Sequence, residues 1–170
     1  DTARRLFLEL AAAVEAAEGE HATMLHEIWL QLALNAYVPK RYDEALGYLE
    51  KLQNAWRAGH RDGISEYLTH KYLARTLAKF GQMERALAEL DRAYDSAIAR
   101  KKARAEFLED HGRYGQALEL YDELYYPAKK RGWHYTWLLY KTGKFELAHE
   151  QFFALAERSG GRRRAKYLYW

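Results

Sequence analysis

A five-residue segment that the chain repeats four times decides the fold: it reads YDEAL at 42–46, MERAL at 83–87, YGQAL at 114–118 and FELAH at 145–149. Each copy begins with an aromatic residue or methionine and places an alanine three residues later. A glycine stands two residues before the last three copies, and Lys40 holds that place before the first. Four residues after each alanine comes a further apolar or aromatic side chain, namely Leu49, Leu90, Tyr121 and Phe152. Spacings of three and four residues are typical of one helix face, so each copy predicts an α-helix.

The composition indicates an all-α chain. Of the 170 residues, 49% are hydrophobic and 30% charged, which is typical of a soluble folded protein. Only two prolines, two asparagines and two valines occur, whereas β-sandwiches and barrels need many turn and strand formers. Most of the eleven glycines divide the chain into segments of helical length. The sequence therefore predicts helices near 3–18, 21–37, 42–57, 64–80, 83–97, 99–111, 114–126, 128–142 and 144–158.

One stretch leaves an alternative open. No glycine or proline stands between Ala93 and Gly112. A single long helix over 83–111 is therefore an alternative to two helices there.

The repeated segment resembles the second helix of the tetratricopeptide repeat, in which a glycine, an aromatic residue and a small alanine follow at these spacings. The preceding helices hold alanine where that family has glycine, at Ala33, Ala74 and Ala105. The repeated alanines are 41, 31 and 31 residues apart, whereas the family repeat is about 34 residues long. A loop around 57–63 accounts for the long step. The resemblance covers 22–158 and implies a right-handed α-solenoid of antiparallel helix pairs.

The same resemblance implies a domain organisation. We expect a single helical-repeat domain over 1–170, with about four helix pairs over 22–158. Residues 1–20 are expected to form an N-terminal capping helix, and the basic and aromatic residues 159–170 to form a C-terminal cap or tail. A solenoid needs such caps because its end faces otherwise expose apolar surface.

In this family the first helices of successive pairs line a concave groove, so the resemblance also implies a binding surface. Lys71, Arg75 and Lys79 are four residues apart and share one helix face. The residues expected to contact a partner are Lys71, Arg75, Lys79, Lys102, Trp133, Trp137, Tyr140 and Lys141. Further groove positions fall on Leu30, Leu34, Tyr37, Glu106 and Glu109.

Such a groove suits an extended peptide or a helix with acidic and apolar anchors. Two structural alternatives stay open. Trp133 and Trp137 could instead pack in the core, and the three basic residues could form an ordinary solvated face.

One subclass of the family is disfavoured. Some tetratricopeptide domains bind the C-terminal carboxylate of chaperones with a clamp of Lys, Asn, Asn, Lys and Arg. The corresponding places in the first three pairs hold Leu30, Leu34, Tyr72, Ala99 and Ala103. We therefore expect no chaperone-tail clamp.

Catalysis finds little support in the sequence. Without cysteine, a disulfide scaffold, a thiolate zinc site and a cysteine nucleophile are excluded. No phosphate-binding glycine loop or nucleophile elbow occurs, and His26-Glu27 lacks the second histidine of a zincin. We expect a non-catalytic protein with no cofactor or metal.

The sequence also bears on the location of the protein. No apolar run approaches the roughly 18 residues that span a bilayer. The apolar stretch 6–17 lacks the design of an export signal and is interpreted as a helix. We expect no membrane association and a cytoplasmic location.

Charge is unevenly distributed, which leaves other functions open. Residues 1–60 hold six Lys or Arg and nine Asp or Glu, whereas the rest has a net charge of +6. Basic clusters occur at 100–104 and 162–166, the second beside aromatic residues. One alternative is therefore a nucleic-acid-binding helical repeat. A second alternative is an engineered helical repeat without a natural ligand, and self-association through an end face or exposed aromatic residues is also open.

Overall fold

The computed structural model describes residues 2–16, 22–125 and 132–158. Within these ranges the chain is all-α and has no strand. The helices are α1 (Thr2–Ala16), α2 (Ala22–Tyr37), α3 (Tyr42–Arg57), α4 (Glu66–Lys79), α5 (Met83–Arg92), α6 (Ala97–Asp110), α7 (Tyr114–Tyr125), α8 (Trp133–Lys141) and α9 (Phe145–Glu157). All nine predicted helices are present. Within the described ranges, the predicted and observed helix bounds differ most at the end of α5, which is at Arg92 instead of residue 97.

The same tight turn joins the two helices of every pair. Its central residue has positive φ in all four copies, at Lys40 (66°), Gly81 (73°), Gly112 (73°) and Gly143 (77°). The amide of the next residue donates to the carbonyl five residues before it, as in the bonds from Arg41 to Ala36 and from Lys144 to Leu139, both 2.9 Å long. The amide of the central residue donates to the carbonyl three residues before it, as from Lys40 to Tyr37, and the two bonds together close the helix end in the Schellman arrangement. The chain is therefore repetitive in backbone geometry as well as in sequence.

The repeated alanines lie at the centre of each pair. Ala45, Ala86, Ala117 and Ala148 are buried, each no more than 1% exposed. The large side chains four residues later are buried too, as are the small first-helix residues Ala33, Ala74 and Ala105. At the next step of 31 residues the small residue is Thr136, whose hydroxyl donates to the Gly132 carbonyl. Small residues at these positions let two helices approach closely, which explains why the pattern recurs.

Contacts divide the chain into two compact units, Asp1–Asp95 and Ser96–Trp170. In the first unit α1 packs on α2, α2 on α3, α3 on α4 and α4 on α5, and α4 also contacts α2. Helices that pack along each other across a short turn are antiparallel. Val14 of α1 packs with Ile28 and Leu32 of α2 in an apolar cluster, so the described part of the predicted capping helix covers the first pair.

The loop that lengthens the first repeat step is held against α2. His26 Nδ1 donates to the Asp62 carbonyl across 2.9 Å, and His26 is buried. Gly63 has a φ of +72°, and a Cβ there would lie 2.6 Å from the Thr23 carbonyl oxygen. The loop therefore needs glycine at this close approach.

The chain does not form a single helix over 83–111. α5 ends at Arg92, and Ser96 caps α6 by accepting a hydrogen bond from the Ala99 amide. In the second unit α6 packs on α7, α7 on α8 and α8 on α9. Residues 159–170, predicted as a cap or tail, lie outside the described residues. The expectation of one domain over 1–170 stays a prediction.

Candidate functional site

Three cations line one face of α4, and each lies beside a tyrosine ring. Lys71 Nζ donates to the Tyr67 hydroxyl across 2.9 Å and lies 5.0 Å from the centre of that ring. The Arg75 guanidinium lies 6.0 Å from the ring of Tyr72. Lys79 Nζ lies 6.0 Å from the ring of Tyr42, which belongs to α3. Cations at such distances are attracted by the electron-rich face of an aromatic ring.

The tyrosines also contact one another across helices. The ring of Tyr37, at the end of α2, lies 5.4 Å from that of Tyr42 and 5.4 Å from that of Tyr72, both edge-on. Burial raises the pKa of the Tyr37 hydroxyl, and the nearby Arg75 opposes this shift. Hydrogen bonds from Lys71 and from Tyr94 hold the pKa of the Tyr67 hydroxyl below its ordinary value. We call this surface of the first unit the cation–tyrosine face; it comprises Lys71, Arg75, Lys79, Tyr37, Tyr42, Tyr67 and Tyr72.

The positive charge of the cation–tyrosine face is not neutralised by carboxylates of the described residues. In the part of the chain that the structure describes, no carboxylate lies within 4 Å of the charged nitrogens of Lys71, Arg75 or Lys79. By contrast, Arg4 and Arg41 both pair with Glu44. Three uncompensated cations on one helix face produce a positive potential that attracts acidic groups.

The aromatic residues of α8 stack along the helix surface. The rings of Trp133 and Trp137 are 6.2 Å apart and nearly parallel, and Tyr140 stacks 5.5 Å from Trp137. Lys141 Nζ lies 4.8 Å from the centre of the Trp137 ring. We call Trp133, Trp137, Tyr140 and Lys141 the aromatic face of α8.

The sequence leaves open whether Trp133 and Trp137 face a groove or pack in the core, and the structure shows an intermediate arrangement. Both tryptophans are half-buried and Tyr140 is 37% exposed. Trp133 rests against Phe152 of α9, with the ring centres 5.2 Å apart. One side of this face therefore packs on the unit while the other remains accessible.

Lys102 lies in a different electrostatic setting from the other predicted cations. It pairs with Glu106 across 3.8 Å and lines an open cleft of about 440 Å³ together with Glu109, Asp110 and His134. His134 Nδ1 lies 3.7 Å from a Glu109 carboxylate oxygen. Because carboxylates outnumber cations in this cleft, the structure does not group Lys102 with the aromatic face of α8.

The groove positions of the first pair are largely apolar. Leu30 is only 8% exposed, and Leu34 and Tyr37 are half-buried. Leu30 borders an open apolar cleft of about 420 Å³ between α1 and α2, with Phe7 and Met24.

A buried polar cluster in the first unit escaped the sequence analysis. The Glu89 carboxylate of α5, 10% exposed, accepts hydrogen bonds from His70 Nδ1 across 2.7 Å and Gln53 Nε2 across 2.8 Å, and it pairs with Arg92. Burial raises the Glu89 pKa, but the bonds from His70 and Gln53 and the Arg92 charge outweigh it, so this pKa lies below its ordinary value.

The repeat itself could have revealed this cluster. Across the first repeat step of 41 residues, Thr69 and His70 correspond to Ile28 and Trp29, and Glu89 corresponds to Tyr48. Polar residues thus replace apolar and aromatic ones at aligned positions of consecutive pairs, which is a signal for a local polar site.

The described residues offer no support for a metal site or a membrane span. Neither a group of three or more possible metal ligands nor a helix long and apolar enough to cross a bilayer occurs among them.

The basic cluster at 100–104 is partly neutralised, because Lys101 pairs with Glu123 across 2.6 Å and Lys102 with Glu106. The cluster at 162–166 lies outside the described residues. The chain was also compared with known proteins: no family model, no curated protein and no solved structure matches it.

Proposed function

We propose that the chain is a tetratricopeptide-like right-handed α-solenoid that binds a segment of a partner protein and catalyses no reaction. The observation that supports this most is the cation–tyrosine face, where three cations lie without a carboxylate partner among the described residues. The four identical turns and the buried repeated alanines support the solenoid part of the proposal.

The spacing of the cations suggests the form of the ligand. Residues four apart on a helix are about 6 Å apart along its axis. Alternate residues of an extended peptide point to one side and are about 6.7 Å apart. Lys71, Arg75 and Lys79 are therefore matched by three acidic residues at alternate positions of an extended segment.

The tyrosines of the cation–tyrosine face also favour the binding of such a segment. The rings of Tyr67, Tyr72 and Tyr42 cover one side of each cation and so hold its side chain in place before binding. Binding then costs less side-chain entropy than it would with freely moving lysines. In the second unit, the aromatic face of α8 supplies rigid rings suited to apolar anchors of a partner.

Fluorescence anisotropy with a labelled peptide of alternating Glu and Leu tests this proposal. Each exposed ion pair contributes about 0.5 kcal/mol, so losing all three predicts about tenfold weaker binding. The test variant combines Lys71→Gln, Arg75→Gln and Lys79→Gln. The matched control removes three exposed cations elsewhere in the first unit, through Arg5→Gln, Lys40→Gln and Arg85→Gln.

The proposal predicts weaker binding by the test variant alone, with its melting temperature unchanged. Equal weakening by both variants would mean that only total charge matters. A melting temperature that falls while binding survives would show that the three cations stabilise the fold instead.

The nucleic-acid alternative predicts a different result. In that case, the affinity of the chain for a single-stranded oligonucleotide should fall steeply as the salt concentration rises, because the release of counterions from the phosphate backbone drives such binding. The cytoplasmic location is part of the main proposal, and imaging of a tagged chain in its source cell tests it.

A further inference from the structure

A cavity of about 320 Å³ in the first unit lies apart from the three cations on α4. It opens between the C-terminal half of α3 and the N-terminal half of α4, beside the polar cluster around Glu89. Trp56 and Arg57 of α3, Ile64 of the following loop and Thr69 of α4 line it. A volume of this size is at the small end of ligand-binding cavities and suits a ligand of about ten non-hydrogen atoms.

The Thr69 hydroxyl is the first sign that this cavity binds a polar group. Thr69 is only 2% exposed, and its Oγ1 has no hydrogen-bond partner in the described residues. A buried hydroxyl without a hydrogen-bond partner is unfavourable, so such groups are rare unless a ligand or a water molecule forms a hydrogen bond with them. The corresponding residue of the preceding pair is Ile28, which packs in the core. The repeat therefore does not require a hydroxyl at this position.

The charges around the cavity identify the polar group that fits. Arg92 pairs with Glu89, and Glu66 lies 4.0 Å from His70 Nε2. Arg57 also lines the cavity, and no carboxylate within the described ranges lies within 4 Å of its guanidinium. An unpaired guanidinium and an unpaired hydroxyl donor together match a carboxylate, which accepts hydrogen bonds only.

The rest of the cavity wall suits an apolar ring. The indole of Trp56 meets the His70 ring edge-on at 6.3 Å, and Arg61 lies 4.5 Å from the indole centre. These contacts hold the indole in a defined orientation. Ile64 adds aliphatic surface beside it.

We propose that this cavity binds a small aromatic carboxylate. The carboxylate accepts hydrogen bonds from the Arg57 guanidinium and the Thr69 hydroxyl, and the ring packs against Trp56 and Ile64. The ligand is thus a free organic acid of about phenylacetate size, and this site is independent of the peptide-binding proposal.

Titration of the full chain with phenylacetate, followed by two-dimensional ¹H–¹⁵N NMR, tests the proposal. Saturable shifts are expected at the Thr69 amide and the Trp56 indole N–H. Phenylacetamide has the same shape without the charge and should bind at least tenfold more weakly, because bonds to charged groups are the stronger ones. Equal binding of the two compounds, or no saturation of either, would overturn the proposal.

Two variants locate the site. Thr69→Val keeps the side-chain shape and removes the unpartnered hydroxyl, so the chain should stay folded while phenylacetate binds about tenfold more weakly. Arg57→Gln should weaken binding by a similar factor, whereas the matched control Arg85→Gln should not.

The triple variant at Lys71, Arg75 and Lys79 should bind phenylacetate like the unaltered chain. Loss of binding in that variant, or unchanged binding in Thr69→Val and Arg57→Gln, would contradict the assignment of this cavity.

Discussion

Replacing Lys40 by glycine should stabilise the first unit. Lys40 has a φ of 66°, the left-handed conformation that glycine adopts in the three equivalent turns. The left-handed backbone raises the free energy of the folded state by about 1–2 kcal/mol when an L-residue adopts it, and glycine removes this cost. Glycine also lowers stability by about 0.4–1 kcal/mol, because its unfolded state has greater conformational entropy. Lys40 is exposed, and its side chain has no hydrogen bond or ion pair among the described residues, so no contact is lost. The net gain is about 0.5–1 kcal/mol.

Chemical and thermal denaturation measure this gain. For a unit of this size it corresponds to a rise in melting temperature of about 2–6 °C. Lys40→Ala is the control, because it removes the same side chain but keeps the unfavourable φ, and it should leave stability nearly unchanged. A decrease in the Lys40→Gly variant, or equal gains in both variants, would refute the claim that the four turns are equivalent.

Two further predictions concern the first unit. Gly63→Ala should destabilise it by about 2–3 kcal/mol, because the added Cβ would lie 2.6 Å from the Thr23 carbonyl oxygen and the φ of +72° is unfavourable for alanine. The control is Gly59→Ala, where the added Cβ would have no atom within 4 Å. Denaturant titrations should show that this control lowers the free energy of unfolding by only about 1 kcal/mol. The ionised form of Glu89 is stabilised by folding because its pKa is lowered, so its contribution is complete above the unfolded-state pKa of about 4.5 and is lost as pH falls through the lower folded-state pKa. Glu89→Gln should therefore cost about 1–3 kcal/mol at pH 7 and flatten the dependence of stability on pH below 4.5, and an unchanged acid limb would contradict this.

The helices could be predicted from sequence because their signals are local. Glycine before an aromatic residue, followed by alanine, specifies a turn and a close helix contact within a few residues. Lys40 shows that the repeat imposes the turn even without glycine. A break between α5 and α6 was predicted, but a single helix stayed open as an alternative, because the local signal is the capping residue Ser96 instead of a glycine or proline.

The surroundings of the candidate site residues could not be predicted in the same way. Lys79 lies beside Tyr42, which is far away in sequence and belongs to another helix. Leu30 and Trp133 occupy equivalent repeat positions, yet Leu30 is buried and Trp133 half-buried. Their exposure depends on the neighbouring helix, which no local pattern specifies. The surroundings of the buried Glu89 carboxylate were not predictable from local sequence either, because its partners come from α3 and α4 as well as from its own helix.

The cation–tyrosine face is tested most directly by the affinity of an acidic peptide for it. The measurement compares a peptide of alternating Glu and Leu with one of equal composition whose glutamates are adjacent, each against the unaltered chain and the triple Gln variant of Lys71, Arg75 and Lys79. We predict that the unaltered chain prefers the alternating peptide and that the variant binds it about tenfold more weakly. Equal affinity of chain and variant for the alternating peptide would contradict the proposed function.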